Sequence, residues 1–100
     1  MLESATPATE ELDPAVRALL PNYIRRRESD VEMMAVLLGR RDYKEVGKLA
    51  HNMRGSGTAY GFPRITELGG QIEHAAMTSD TETLERLAGE LGEFVATMRP

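Results

Sequence analysis

The chain has 100 residues, close to the commonest size of a single domain, and it contains no cysteine. The absence of cysteine excludes disulfides, thiolate metal sites and a cysteine nucleophile, and it suits a reducing, cytoplasmic compartment. The net charge of -4 gives no overall attraction to nucleic acid or to an anionic membrane surface. No apolar run approaches the roughly 20 residues that cross a bilayer. We therefore expect one cytoplasmic domain with neither nucleic acid nor a membrane as its partner.

The N-terminal part of the chain divides into a tail and the start of the fold. Residues 1–11 show little hydrophobic periodicity, which predicts a flexible tail, and residues 12–100 form the predicted domain. Asp13 followed by Pro14 is a helix-start signal, because the aspartate can cap the first turn and a proline N–H is not needed there. Pro21 is expected to split or kink the helical segment that begins here.

Two stretches of helical periodicity follow. A helix that ends at Gly39 would bury a stripe formed by Leu20, Ile24, Val31, Met34, Ala35 and Leu38. A second helix is predicted over residues 42–60, with Asp42 as its N-cap and Gly61 as the break. The apolar side of this second helix consists of Val46, Leu49, Ala50, Met53, Gly57 and Tyr60.

Two further amphipathic helices complete the chain. The first is predicted over residues 63–77, where Gly69 and Gly70 lower helix propensity and indicate close contact with another helix. Ser79 and Glu82 are predicted to form a capping box for the second, whose buried residues are Leu84, Leu87, Ala88, Leu91, Phe94, Val95 and Met98. No segment alternates with period two. We predict an all-α domain, an antiparallel up-down four-helix bundle with a short or kinked N-terminal helical segment.

The most informative residue is His51, in the second predicted helix. Helical spacing surrounds it with residues that are basic or small: Lys44, Gly47, Lys48, Arg54, Gly55 and Thr58. Gly47, Gly55 and Gly57 together forgo roughly 2 to 3 kcal/mol of helix propensity. Access of a large group to the imidazole would explain this cost. Lys48 and Arg54 would give charge-assisted hydrogen bonds to a phosphoryl group. The pattern predicts an exposed histidine on a face suited to an anion.

The residues around His51 resemble the signature of histidine-containing phosphotransfer (Hpt) domains. The residues that carry the resemblance are His51, Met53, Arg54, Gly55, Ser56 and Gly61, with Ile65, Gly69, Ile72 and Glu73 resembling the third helix of the family. The resemblance covers about Leu12 to Met98. Arg54 stands where lysine is more usual, and Gly57 where serine or alanine is common. The resemblance implies a four-helix bundle without ATP binding or kinase activity.

The same resemblance implies a phosphorelay intermediate of two-component signalling. His51 would accept a phosphoryl group from a receiver-domain aspartate and pass it to another receiver, with Arg54 and Lys48 stabilising the phosphate. The implied partners are response-regulator receiver domains, a hybrid histidine kinase, or both. We expect a monomer with no bound cofactor or metal, since the Mg²⁺ and its acidic ligands belong to the receiver. The residues predicted to dock the partner are Gly47, Gly55, Thr58, Ser56, Lys44, Met33 and Leu37.

Several alternatives stay open at this point. Met33 and Leu37 fit a contact with another helix of the bundle equally well. A helical adaptor or regulatory bundle would use the His51 face without phosphorylation. A metalloenzyme that uses His51 and His74 is disfavoured, because the two lack metal-ligand spacing and no carboxylate neighbours His51 on its own helical face. His74 is expected to be a solvated residue with no role.

Overall fold

The structure, a computed structural model, describes residues 12–99, and the tail predicted over residues 1–11 lies outside the described residues. The helices are α1 (Pro14–Arg17), α2 (Leu20–Gly39), α3 (Tyr43–Arg54), α4 (Pro63–Met77) and α5 (Thr81–Ala96), with a 3₁₀ turn at Thr58–Tyr60. Between residues 12 and 99 there is no strand, so the predicted all-α fold is confirmed. No helix in this part of the chain combines the length and the hydropathy needed to cross a bilayer.

The four long helices form the predicted bundle. Each contacts two neighbours, in the cyclic order α2, α3, α4, α5. Tyr43 at the start of α3 is hydrogen-bonded to Thr81 at the start of α5, and Arg99 after α5 binds Glu28 in the first half of α2. These contacts are those of an up-down arrangement. The apolar faces meet in one core that includes Val46, Ala50, Met53, Ile65, Leu68, Ile72, Leu84 and Leu91.

The first helical segment is split, as predicted. Asp13 accepts a hydrogen bond from the backbone N–H of Ala15 at 2.8 Å, but α1 ends after four residues. Pro21 lies in the first turn of α2, where its missing N–H leaves no helical carbonyl without a donor. The proline therefore marks the start of the long helix rather than a kink within it.

The buried face of α2 differs from the predicted stripe. Ala35 was assigned to this stripe but is exposed, whereas Tyr23, Arg27 and Leu37 are buried. Leu37 is only 9% exposed, so its prediction as a docking residue is wrong. The physical reason is that α2 packs against both α3 and α5, so the arc it buries extends beyond a single apolar stripe. Met33, its predicted partner in the docking surface, is half exposed.

Helix α3 ends earlier than predicted. Asp42 caps its start, accepting from the N–H of Glu45, but the helix stops at Arg54 with Gly55 as its C-cap. Gly57 lies beyond that end, and a Cβ there would come within 2.5 Å of the backbone N of Thr66 in α4. Close packing explains this glycine, so the cost in helix propensity predicted for three glycines applies within α3 to Gly47 alone.

The α3 and α4 backbones touch directly. A Cβ on Gly69 would lie 2.8 Å from the backbone N of Arg54 and 2.9 Å from the carbonyl O of Ala50. The close helix contact predicted at this position is confirmed. At Gly70 a Cβ would meet only the side-chain Cδ of Arg54, at 3.4 Å. The close approach at Gly69 brings α4 against the last turn of α3, which carries His51.

The start of α5 corrects one predicted cap. The N-cap is Asp80, whose carboxylate accepts from the N–H of Thr83 at 3.2 Å and from its hydroxyl at 2.7 Å. Ser79 instead lies in the preceding turn, with a φ of 53°. The capping box predicted from Ser79 and Glu82 is therefore wrong, because a carboxylate one residue later caps the helix in its place.

Candidate functional site

The site is centred on His51, in the last turn of α3. Its side chain is 59% exposed, and its Nδ1 lies 2.9 Å from Oε2 of Glu73, which reaches across from α4. A carboxylate only accepts hydrogen bonds, so this contact assigns the ring proton to Nδ1. In the neutral imidazole the lone pair is then on Nε2. The side chain thus combines a fixed tautomer with an exposed ring.

Glu73 corrects the expectation that no carboxylate neighbours His51. That expectation considered the face of a single helix, and Glu73 lies 22 residues away on another helix. The sequence did point to Glu73, because this residue belongs to the pattern that resembles the third helix of the family. That pattern did not indicate what Glu73 contacts. The carboxylate meets His51 because α4 approaches α3 at Gly69, one helical turn before Glu73.

Arg54 shares the same carboxylate. Its Nε lies 3.3 Å from Oε1 of Glu73, and its Nη2 lies 3.4 Å from Nδ1 of His51. Since Nδ1 donates its proton to Glu73, it has no lone pair for Arg54, and the shorter contact to the carboxylate is the one that binds the guanidinium. Arg54 is half exposed, so its charge stands beside the imidazole and toward solvent. Three residues from two helices form a compact ionic cluster.

The two lysines of α3, Lys44 and Lys48, lie on the same surface as His51. Lys48 forms an exposed ion pair with Glu45, one turn earlier on α3, at 3.3 Å. Lys44 and Lys48 both line a cavity of about 310 Å³ between α3 and α4, to which His51 also contributes. The other lining residues are Tyr43, Gly47, Glu73, Ala76 and Met77. Positive charge is therefore present on the α3 side of this cavity.

Ser56, predicted as a docking residue, is turned toward α2. Its Oγ accepts from Nη1 of Arg27 at 3.0 Å and from the Tyr23 hydroxyl at 3.1 Å, and it donates to the carbonyl of Met53. With one proton and two lone pairs, this hydroxyl has no capacity left for a partner. Ser56 thus ties the turn after α3 to α2, which corrects the predicted docking role.

Arg27 is a buried charge that the sequence analysis missed. It is 5% exposed, its guanidinium lies over the Tyr23 ring at 4.7 Å, and its Nε is 2.8 Å from Oδ2 of Asp30. Burial raises the pKa of the Asp30 carboxyl above its ordinary value, against the lowering effect of Arg27. The sequence signal for this ion pair was the spacing of Arg27 and Asp30, which are three residues apart on one helix and therefore neighbours on its surface.

Gly55 and Thr58, the remaining predicted docking residues, are both exposed. Thr66 of α4 holds the turn in which both lie. Its hydroxyl accepts from the N–H of Thr58 at 2.9 Å and donates to the carbonyl of Arg54 at 3.0 Å. The end of α3 is thereby held from one side by Thr66 and from the other by Ser56.

His74 lies apart from this cluster. It is exposed on α4 and lines a separate groove between α4 and α5, together with residues such as Arg64 and Asp80. The structure does not bring it to His51. Among residues 12–99 there is no group of three or more His, Cys, Asp or Glu side chains arranged to hold a metal ion.

The family model of the Hpt domain matches residues 9–97. No curated protein and no solved structure matches the chain. The matched range contains the five helices found among residues 12–99 and the three residues of the ionic cluster, His51, Arg54 and Glu73.

Proposed function

Since this chain belongs to the Hpt domain family, whose members are phosphotransfer modules of two-component signalling, we propose that it is a phosphorelay intermediate with His51 as the phosphoacceptor. The partners are receiver domains, one of which supplies the phosphoryl group and another of which takes it. The observation that carries the proposal is the exposed imidazole whose Nδ1 is bound to Glu73 at 2.9 Å. The chain itself holds no ATP and no cofactor in this proposal, and Mg²⁺ belongs to the receiver.

Phosphoryl transfer to His51 needs no external base. The Nε2 lone pair attacks the phosphorus of the receiver's aspartyl phosphate, and the bond between phosphorus and the acyl oxygen breaks. The aspartate leaves as a carboxylate with that electron pair. The imidazole keeps its Nδ1 proton and becomes a phosphoimidazolium, so the ring gains one positive charge. Transfer to the second receiver is the reverse of these steps.

Glu73 and Arg54 are suited to stabilise the two charges that result. The ring charge develops beside the Glu73 carboxylate, which lies 2.9 Å from Nδ1. Arg54 remains charged and half exposed next to the ring, where a guanidinium forms bidentate hydrogen bonds with phosphoryl oxygens. Glu73 in this view is a positioning residue, which holds the tautomer and the orientation of the ring. Arg54 contacts the transferred group.

The proposal is tested by phosphotransfer from a panel of phosphorylated receiver domains to the chain. We expect an acid-labile, base-stable phosphate on the wild-type chain and none on His51→Ala. His74→Ala is the matched control, because it removes an exposed histidine from α4 without touching the cluster. Circular dichroism should show the same helical content in all three proteins.

Each result has a defined meaning. Phosphate on His51→Ala, or its loss from His74→Ala, would refute the assignment of the acceptor. Arg54→Ala should slow uptake while the fold is preserved, and an unchanged rate would remove its role. Receiver binding without any phosphate transfer would instead identify the chain as a helical adaptor.

A further inference from the structure

We propose that the cavity between α3 and α4 is a docking site for one apolar side chain of the receiver, and that carboxylates around that side chain pair with Lys44 and Lys48. The inference rests on the proposed phosphorelay function and identifies where the receiver binds. The cavity is continuous with the phosphotransfer site, because His51 and Glu73 are among its lining residues. A side chain anchored in it holds the receiver within reach of Nε2.

The walls of the cavity favour an apolar occupant. Met77, the last residue of α4, is 80% exposed, the largest exposure among the large apolar residues of the described chain. Gly47 on α3 faces Ala76 on α4, and a Cβ on Gly47 would stand 3.6 Å from that of Ala76. Gly47 therefore keeps open a space that any larger side chain would occupy. A cavity of about 310 Å³ is at the small end of ligand sites and fits a single bulky side chain.

The charges around the cavity favour an acidic partner surface. Lys44 makes no ion pair with any residue between 12 and 99, and Lys48 has only its exposed pair with Glu45. Residues 14–61 contain nine Lys or Arg and five Asp or Glu, whereas residues 62–100 contain three and seven. The helix that carries His51 thus belongs to the positive half of an acidic chain. Such polarity orients an acidic partner toward α3 during encounter.

The exposed apolar residues of α2 are the competing surface. Met33 and Val36 are each about half exposed, but they are not among the residues that line the cavity with His51. The α3 and α4 cavity adjoins the acceptor on its own helix, and it is therefore assigned as the anchor site.

The experiment compares two phosphodonors on the same variants. One is the phosphorylated receiver domain that transfers fastest to the wild-type chain, and the other is phosphoramidate, which needs no docking surface. Gly47→Leu fills the cavity, and Met77→Ala removes its exposed wall. For both, the receiver-dependent rate relative to the phosphoramidate rate should fall by about tenfold, the effect of losing one interface anchor. Gly89→Leu on α5 is the control, because a Cβ there meets nothing within 4 Å and both rates should stay at wild-type values.

The outcomes separate this inference from the function on which it rests. Wild-type ratios in Gly47→Leu and Met77→Ala would overturn the docking site while leaving His51 as the acceptor. Equal losses with both donors would show that Gly47 serves access to the imidazole and not docking. Self-association of the chain that Met77→Ala abolishes would assign the cavity to a second copy. No phosphate on wild-type His51 from any receiver would overturn both proposals.

Discussion

The neighbouring glycines of α4 should respond to alanine with opposite signs. At Gly69 a Cβ would lie 2.8, 2.9 and 3.0 Å from three backbone atoms of α3, well inside the roughly 3.5 to 4.0 Å of a favourable contact. Backbone atoms cannot rotate away, so α3 and α4 must separate. At Gly70 the nearest atom is the Arg54 side-chain Cδ at 3.4 Å, which can shift. The two positions share a helix and a sequence context but differ in what they face.

The magnitudes follow from two opposing terms. Overpacking costs about 1 to 3 kcal/mol, and contact with three backbone atoms places Gly69→Ala near the upper value. Alanine recovers about 1 kcal/mol of helix propensity at either position. The free energy of unfolding should therefore fall by about 2 kcal/mol for Gly69→Ala and rise by up to about 1 kcal/mol for Gly70→Ala. For a domain of this size 1 kcal/mol corresponds to a shift in Tm of about 4 to 8 °C.

Urea unfolding followed by circular dichroism measures both changes in the free energy of unfolding. The slope of the unfolding free energy against urea should be unchanged, so that the midpoint alone shifts. The Gly69→Ala variant should also take up phosphoryl groups more slowly, because separating the two helices moves Glu73 away from His51. If both variants were stabilised, or if both were destabilised equally, the close contact at Gly69 would not be the reason for its glycine.

Three further predictions concern the charged and hydrogen-bonded groups. Glu73→Gln keeps an acceptor for His51 but removes about 1 kcal/mol of charge interaction at this pair. Receiver-dependent phosphorylation should therefore slow about fivefold. An unchanged rate would contradict the positioning role of Glu73. Ser56→Ala leaves Arg27 and a tyrosine hydroxyl without their shared acceptor and should lower the unfolding free energy by about 1 to 3 kcal/mol in urea titrations. Burial raises the pKa of Asp30, so its ionisation opposes folding: this group favours the fold most below its ordinary pKa of 3.8, and that advantage is lost as pH rises above it. The free energy of unfolding of Asp30→Asn should therefore increase relative to that of the wild type as the pH is raised from 4 to 7. A relative decrease would show that the attraction of Arg27 outweighs burial.

The helix boundaries show where local signals suffice. The caps at Asp13 and Asp42 and the start of α4 at Pro63 depend on residues adjacent in sequence, and the structure has them as predicted. The cap predicted at Ser79 was wrong because Asp80, the next residue, also offers a side-chain acceptor. Sequence spacing alone does not show which of the two residues caps the helix. The predicted end of α3 was wrong because contacts to α2 and α4 hold the turn after Arg54. The spacing of residues in the sequence does not reveal these contacts.

Burial depends more strongly on the arrangement of the helices. Apolar periodicity identifies a helix as amphipathic, but it does not give the width of the arc that its neighbours cover. Leu37 was predicted either to dock the partner or to contact another helix, and it is buried in the bundle. Arg27 is buried although its side chain is charged. In both cases the deciding fact is that α2 lies between two other helices.

The sequence by itself determined the fold class and the face that His51 shares with Arg54, because residues three apart on a helix are neighbours whatever surrounds them. Only the tertiary structure decided that Glu73 binds the imidazole, that Ser56 is committed to α2, and that a cavity opens beside the acceptor. Each of these depends on the rotation and separation of helices far apart in the chain. The close approach of two backbones at Gly69 fixes that separation at the site.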